Sequence, residues 1–351
     1  SADLKQTATI MTVDCPLPEH KNVIWCGTFQ IAWDKFKDDI IGEPVQLVGA
    51  EDLADRLNRG EFSPENLEAE SFYATAGLVE DGVFGQIKEE MARRFPSEPI
   101  PVFSRLYDRL RGASVAYCFL SVDVEYAFPL YIRERAFDFE ASDGARTAVT
   151  AFSSEPGGRD PNVGRLREQV EILHYKYAEQ GRADEFAVDL CKHTDPYQVV
   201  LVRMPRRDPL DEALKDIEQD ISDFRQDPYY ESLCRLRSID SLIVPDVFYK
   251  LTHHFTDLEG KKLRNPKWRA KGYFIFEARQ IIDFALSRTG VVLKSEAIMG
   301  GAASAAPPPG IRQPRRFYFD RPFLIYVKKR GAEFSPFFVM WVDNAELMKA
   351  F

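Results

Sequence analysis

The sequence predicts an α+β protein, and three observations support this class. Helical patterns dominate the early part of the chain, strand patterns dominate the late part, and no repeat of roughly 20–50 residues is visible. Hydrophobic residues make up 45% of the 351 residues and aromatic residues 13%. The chain therefore has ample material for a buried core.

The early part begins with a strand that leads into a helix. The segment NVIWCGTFQIAWDKF, from Asn22, passes from strand-favouring residues into apolar residues at helical spacing. Residues 51–94 are rich in Glu, Asp, Leu and Ala and predict several helices. RGASVAYCFLSVDVEYAFPLYI then predicts a long buried strand, and TAVTAF a further one.

In the middle of the chain, the strand YQVVLVRM precedes an amphipathic helix. Asp208 is predicted as the N-cap, with Pro209 at the first helical position. One face of this helix is apolar and consists of Leu210, Leu214, Ile217, Ile221 and Phe224. A solvated face explains the acidic residues better than a pair of catalytic acids does; they are Asp211, Glu212, Asp216 and Glu218.

Four segments complete the chain: SIDSLIVPDVFYKL, YFIFEARQIIDFALSRTGVVLKSEA, RRFYFDRPFLIYVKK and SPFFVMWVD. The last two predict strands, and the connection KKRGAEF carries Gly331, which suits a hairpin turn.

Charge and hydropathy exclude several classes of protein. A formal net charge of −9 and a pI near 5.3 argue against a general nucleic-acid binder, because contacts to phosphates need a basic surface. No apolar run reaches the roughly 18–20 residues of a membrane helix, so we expect no membrane partner. The first residues lack the pattern of a signal peptide, which leaves secreted and cytoplasmic locations both open.

Motifs for chemistry are absent. The sequence contains no GxGxxG after a strand, no GxxxxGK[ST], no GxSxG and no HExxH, so we expect neither an enzyme nor a cofactor. The five cysteines form no CxxC pair. Cys191 with His193, and His253 with His254, would need further ligands to hold a metal, and we interpret both spacings as chance.

One basic cluster surrounds Trp268 in GKKLRNPKWRAKGY. Basic residues interleaved with an aromatic ring can bind a polyanion, whereas an exposed loop between two elements explains the same composition and is the interpretation we favour. The candidate residues are Lys261, Lys262, Arg264, Lys267 and Arg269, followed by Lys271.

The segment FYFDRPFLIYV, from Phe317 to Val327, resembles the signature of the serpin family. That signature has alternating apolar residues, then Asp or Asn, a basic residue, Pro, Phe and an apolar strand. SLIVPDV resembles the family strand SLxxPKF, and SPFFVMWVDN resembles its final strand. AYCFLSVDVEYAFPL and NVIWCGTFQIAW stand where the central strand and the NVxxSPxSI motif belong.

The resemblance implies a single serpin-like domain over residues 1–351, with a large mixed β-sheet, smaller β-sheets and about eight helices. It also implies a metastable, monomeric suicide-substrate inhibitor of a serine protease. In that mechanism a protease cleaves an exposed loop, and the loop then inserts into the large sheet as a new strand. The alternative is a non-inhibitory relative whose loop is merely cleaved, or which binds a ligand or partner.

The candidate reactive loop covers residues 297–316. RTGVVLKSEA resembles the strand that leads into the family's loop and places the hinge acid at Glu296. Insertion needs small side chains, which the hinge residues Gly300, Gly301, Ala302, Ala303 and Ser304 supply. The same composition is typical of a flexible linker, so that interpretation remains open.

The chain departs from the family pattern at several positions. The usual hinge glycine is replaced by Ile298, the Lys of PKF by Asp246, and a central-strand Trp by Tyr126. The run Pro307–Pro309 cannot donate ladder hydrogen bonds and would slow or shorten insertion.

The resemblance also implies the scissile residue: the family's usual spacing places it at Arg312 when counted from Glu296 and at Ile311 when counted back from Phe319. We choose Arg312, followed by Gln313, because an arginine pairs with the aspartate of a trypsin-like specificity pocket. The predicted partner is therefore a trypsin-like serine protease. The alternative is that Arg312 belongs, with Arg315 and Arg316, to a merely soluble loop.

Overall fold

The computed structural model describes residues 4–110, 112–176, 184–292, 313–331 and 333–351. The chain divides into two compact units. The first comprises Ser1–Trp25, Val122–Leu251 and Ile282–Phe351, and the second comprises Cys26–Ser121 and Thr252–Ile281. That residues 1–351 form a single domain stays a prediction.

Seven α-helices lie in the described part of the chain, close to the eight or so expected. They are α1 (Thr28–Lys35), α2 (Glu51–Asn58), α3 (Val83–Arg94), α4 (Val163–Glu168), α5 (Leu210–Arg225), α6 (Tyr230–Leu233) and α7 (Pro266–Arg269). A π-helix at Phe36–Ile41 continues α1, and 3₁₀ turns lie at Pro64–Asn66, Arg105–Arg109 and Ala345–Leu347. No helix in these described ranges combines the length and the apolar character needed to span a membrane.

The strands are distributed along the whole chain. The first ten are β1 (Thr7–Thr9), β2 (Asn22–Cys26), β3 (Phe72–Leu78), β4 (Ser114–Leu120), β5 (Asp123–Glu125), β6 (Tyr131–Ile132), β7 (Phe137–Glu140), β8 (Arg146–Val149), β9 (Ala151–Ser153) and β10 (Glu171–Lys176). The others are β11 (Glu185–Asp189), β12 (Tyr197–Arg203), β13 (Ser241–Pro245), β14 (Val247–His254), β15 (Arg279–Ser287), β16 (Gly290–Val292), β17 (Arg316–Tyr318), β18 (Phe323–Lys329) and β19 (Pro336–Val342).

These strands form sheets of different sizes, as the α+β class requires. The largest has seven strands in the order β1-β2-β19-β18-β12-β11-β10 and contains both parallel and antiparallel pairs. Two four-stranded sheets have the orders β17-β13-β9-β6 and β14-β15-β16-β5. β3 pairs with β4, and β7 with β8. The predicted fold class, with a large mixed sheet and smaller sheets, is confirmed.

Three local predictions differ from the structure. Residues 51–94 contain the strand β3 between helices, and the predicted long strand is three shorter ones, β4, β5 and β6. Asp208 does not cap α5: its carboxylate accepts a hydrogen bond from the backbone N–H of Leu17 at 2.9 Å. The interruptions between β4, β5 and β6 are not visible in the sequence, because the apolar pattern does not show where a strand ends. Asp208 differs because the fold brings the backbone N–H of Leu17, which is distant in the chain, within hydrogen-bond distance of its carboxylate.

The core of the first unit contains the signature segment. Phe317, Phe319 and Phe323 are fully buried, and the ring centroid of Phe186 lies 5.2 Å from that of Phe317. The Oδ1 atom of Asp320 accepts a hydrogen bond from Arg203 of β12 at 2.6 Å. The signature therefore connects β17, a strand of a smaller sheet, with the large sheet that contains β18, through apolar packing and an ion pair.

Candidate functional site

The candidate site consists of the two segments that flank residues 293–312, which we call the entry stem (Ser287–Val292) and the exit stem (Gln313–Tyr318). In the entry stem, β15 ends at Ser287, the chain reverses at Arg288 and Thr289, and β16 follows. The hydroxyl of Ser287 accepts a hydrogen bond from the backbone N–H of Thr289 at 3.3 Å. A serine of this kind commonly stabilises a tight turn.

β16 lies between two strands and pairs antiparallel with both. Val291 stands opposite Leu286 of β15 on one side and opposite Val124 of β5 on the other. All three of these valine and leucine side chains are fully buried. The chain that leads into residues 293–312 is therefore already a strand of a four-stranded sheet.

Gly290 permits this arrangement because no larger residue fits there. Its φ is +152°, a conformation that side chains disfavour, and a Cβ atom would lie 2.2 Å from the carbonyl oxygen of Val124. The position expected for the hinge glycine is Ile298, which lies outside the described residues. The sequence signal for the chain reversal is Gly290 itself, because a glycine shortly after an alternating strand is typical of a turn.

The strand expected in RTGVVLKSEA is present at Gly290–Val292, and the residues from Leu293 to Glu296 lie outside the described residues. The segment begins with the reversal at Arg288 and Thr289, and Gly290–Val292 run back alongside β15. The predicted hinge residues lie outside the described residues; they are Glu296, Gly300, Gly301, Ala302, Ala303 and Ser304. Ile311 and Arg312 lie outside them too.

The exit stem begins at Gln313, the last of the three predicted reactive-centre residues. Its side chain is exposed, and its carbonyl oxygen accepts a hydrogen bond from the guanidinium of Arg237 at 2.8 Å. Two residues later, Arg315 is buried with 1% of its surface exposed. Arg316 then starts β17, which pairs in parallel with β13.

Arg315 is held by a buried carboxylate. Its Nε and Nη2 atoms donate to Oδ2 of Asp240 at 3.0 and 2.7 Å, and its backbone N–H donates to Oδ1 at 2.9 Å. The guanidinium also lies 5.4 Å from the ring centroid of Tyr175 and 5.3 Å from that of Phe317. Arg315 is thus a structural anchor and not a member of a merely soluble loop.

Asp240 serves both arginines, since Arg237 donates to Oδ1 through Nη2 at 2.7 Å. Burial by itself would raise the pKa of Asp240, but hydrogen bonds from Arg237 and Arg315 outweigh burial and hold the pKa below its usual value. Neither Arg237 nor Asp240 belongs to a motif that the sequence reveals. A lone Asp before an apolar strand carries no sequence signal for a partner that is distant in the chain.

The candidate polyanion residues lie around α7. Lys267 and Lys271 place their amines 5.1 Å from the ring centroid of the buried Trp268. Lys261 donates instead to the carbonyl oxygen of Gly49 at 3.0 Å, while Lys262, Arg264 and Arg269 are not buried. Polyanion binding by this cluster stays a prediction.

The other residues singled out from the sequence are dispersed. Asp246 accepts a hydrogen bond from Thr150 at 2.8 Å, and burial raises its pKa. His253 packs on Phe255, whereas His254 contacts Glu259. Within the described ranges, no group of three or more His, Cys, Asp or Glu side chains could hold a metal ion.

Comparison with known proteins identifies the fold. No protein-family model matches the sequence, and neither does any curated protein. The native structure of tengpin, a thermophilic serpin, matches with a TM-score of 0.51 and 12% identity, covering 93% of this chain and 90% of that one. Serpin48 of the insect Tenebrio molitor matches with a TM-score of 0.45 and 12% identity over 92% of each chain. Thyroxine-binding globulin in complex with thyroxine matches with a TM-score of 0.48 and 10% identity, covering 92% and 93%.

Proposed function

We propose that this chain, which has the serpin fold, is a suicide-substrate inhibitor of a trypsin-like serine protease. The observation that carries the proposal is the position of β16, which pairs with β15 and β5 at once. β16 already lies between β15 and β5 in a four-stranded sheet, so the residues that follow Val292 could continue the same pairing. The insertion that we propose after cleavage is therefore into this four-stranded sheet and lengthens β16.

The energetics of insertion favour this interpretation. Each residue that joins a ladder contributes about 1 kcal/mol in backbone hydrogen bonds, and a buried apolar side chain adds to that. Gly290 and Val291 make these contacts in the intact chain. The small residues at 300–306 suit the later part of the inserted strand, where long side chains would clash with packed neighbours.

The exit stem supports Arg312 as the reactive residue. A protease requires an extended, accessible segment, and Arg315 is buried against Asp240 while Arg316 pairs with Ser241 in β17. Arg312 is the basic residue of GIRQPRR that precedes this anchor. Gln313 is exposed, which is what the residue after the scissile bond needs.

In the proposed reaction the protease serine attacks the carbonyl carbon of Arg312. The bond to the nitrogen of Gln313 breaks, the serine proton passes by way of the protease histidine to that nitrogen, and Arg312 remains as an ester of the protease. The anchor at Arg315 retains the released chain end. The residues that follow the entry stem are then free to join the sheet and to draw the esterified protease with them.

The experiment mixes the protein with trypsin and resolves the products on a denaturing gel. We expect a covalent complex, and mass spectrometry of the released fragment should give a first residue of Gln313. Arg312→Gln should abolish the complex with trypsin, whereas the matched variant Arg316→Gln should retain it. Clipping without a complex would contradict inhibition, and first cleavage elsewhere would contradict the assignment of Arg312.

A further inference from the structure

The second unit contains a cavity of about 190 Å³ that none of the foregoing uses. One wall comes from α1 and its π-helical continuation, with Phe29, Trp33 and Phe36. The β4 wall consists of Ala113, which precedes β4, together with Ser114 and Ala116, and all three residues are small. The lining thus combines aromatic rings with small residues, which leave room for a ligand.

The volume is large enough for an organic molecule. A cavity of about 150 Å³ lined by apolar side chains holds benzene, so this one has room for a molecule of one or two rings. Aromatic walls offer stacking and edge contacts to such a molecule. Phe274 lines the cavity with 37% of its surface exposed. An exposed aromatic ring at the rim of a cavity is favourable for a ligand that covers it.

The charged groups that line the cavity, namely Lys271, Glu277 and Arg279, lie on the segment Lys271–Arg279. Glu277 already has two partners: Tyr107 donates its hydroxyl to Oε2 at 2.9 Å, and the Nε of Arg279 forms an ion pair with Oε1 at 3.1 Å. Burial raises the pKa of Tyr107, so this hydroxyl keeps its proton. The carboxylate therefore has little capacity left for a cationic ligand.

Arg279 and Lys271 can donate more hydrogen bonds than the single carboxylate of Glu277 accepts from them. Arg279 contacts Glu277 through Nε, and no hydrogen bond from its two terminal nitrogens is found in the described part of the chain. Lys271 lies against Trp268 and has no ion pair with any described residue. With two cations and one carboxylate, the lining carries a net positive charge.

We propose that this cavity binds a small amphipathic anion, namely an aromatic carboxylate or sulfonate of one or two rings. The rings lie between the α1 wall and the β4 wall, and the acidic group faces Arg279 and Lys271. A cationic or purely polar ligand is disfavoured, because the rings are needed to fill the apolar part and the lining repels positive charge.

The test uses 2-naphthoate as the anionic probe and 2-naphthamide as a neutral probe of the same shape, with the intact chain and isothermal titration calorimetry. We expect saturable 1:1 binding of 2-naphthoate, with quenching of tryptophan fluorescence because Trp33 lines the cavity. Arg279→Gln should weaken 2-naphthoate about 10-fold and 2-naphthamide less than about 2-fold, because a charge-assisted hydrogen bond is lost only for the anion. The matched control Arg93→Gln changes an exposed arginine of α3 and should alter neither affinity.

Filling the cavity gives a second, independent readout. Ala116→Leu should abolish binding of both probes, and Ala113→Leu serves the same purpose if the first variant does not fold, as judged by near-UV circular dichroism. Absence of saturable binding to the unaltered protein would overturn the proposal. Equal loss of both probes in Arg279→Gln, or unchanged binding in a folded cavity-filled variant, would overturn it as well.

Discussion

The entry stem and the exit stem hold the same segment by different means. The entry stem relies on backbone pairing of Gly290–Val292 with a neighbour on each side. The exit stem relies on a buried ion pair, with Arg315 donating three hydrogen bonds to Asp240. Pairing of this kind can be lengthened one residue at a time, whereas a buried ion pair is either formed or broken.

This difference assigns a direction to the proposed movement. The entry stem can lengthen because each added residue repeats the contacts of the one before. The exit stem cannot shift gradually, because displacing Arg315 would break one of the two arginine pairs of the buried Asp240. A loop held in this way is expected to insert from its amino-terminal end while its carboxyl-terminal end stays in place.

The largest expected effect comes from breaking the anchor. Arg315→Gln removes one of the two arginine partners of the buried Asp240, and we expect the free energy of unfolding to fall by about 3 kcal/mol, because Arg237 still contacts the carboxylate. Urea unfolding followed by circular dichroism measures this. The matched variant Arg316→Gln alters the exposed neighbour and should change stability by less than about 0.5 kcal/mol. Equal effects of the two variants would mean that the anchor is unimportant.

A smaller effect is expected at the entry stem. Gly290→Ala puts a Cβ atom against the carbonyl oxygen of Val124, so β16 should leave the sheet at a cost of about 1–3 kcal/mol. More inhibitor should then be consumed for each molecule of trypsin that is trapped, which is measured as an increased stoichiometry of inhibition. Gly144→Ala is the control, because Gly144 also has a positive φ of 85° but open space around it. An unchanged stoichiometry of inhibition in Gly290→Ala would show that β16 has no role in inhibition.

The later part of the inserted strand is tested at Ala303. Ala303→Arg would bring a long charged side chain between packed strands, and burying it without a partner is costly. We expect an intact native fold and conversion from inhibitor to substrate, seen as clipped chain without covalent complex. If the complex forms as before, the Gly/Ala/Ser run is only a linker.

The smallest effect is the pH dependence of the anchor. The pKa of Asp240 is lower in the folded than in the unfolded chain, so the unfolded state binds more protons at acidic pH. The stabilisation is complete above the unfolded value of about 3.8 and is lost as the pH falls through the lower folded value. Asp240→Asn should therefore show a shallower loss of stability below about pH 4 than the unaltered chain. If the stability of the two proteins fell equally with pH, Asp240 would not be the group responsible for the loss.

The strands of the signature segment could be predicted from the sequence, because residues close together in the chain determine them. FYFDRPFLIYV encodes a strand, a turn and a second strand through its own residues, and Phe317, Phe319 and Phe323 are buried as expected. The pairing of Arg315 with Asp240 joins residues that are far apart in the chain, and no local pattern predicts it. The reversal at Arg288 and Thr289 lies inside RTGVVLKSEA, where the polar residues after Leu286 interrupt the alternation but do not by themselves distinguish a turn from a continuing strand.

The measurement that tests strand insertion most directly is thermal unfolding before and after cleavage at the loop. Trypsin in small amount cleaves the chain, and mass spectrometry verifies a single cut after Arg312. Since each residue that joins the sheet adds about 1 kcal/mol, a fully inserted strand should raise the unfolding midpoint by more than about 10 °C. An unchanged midpoint after clean cleavage would contradict insertion and with it the inhibitory function.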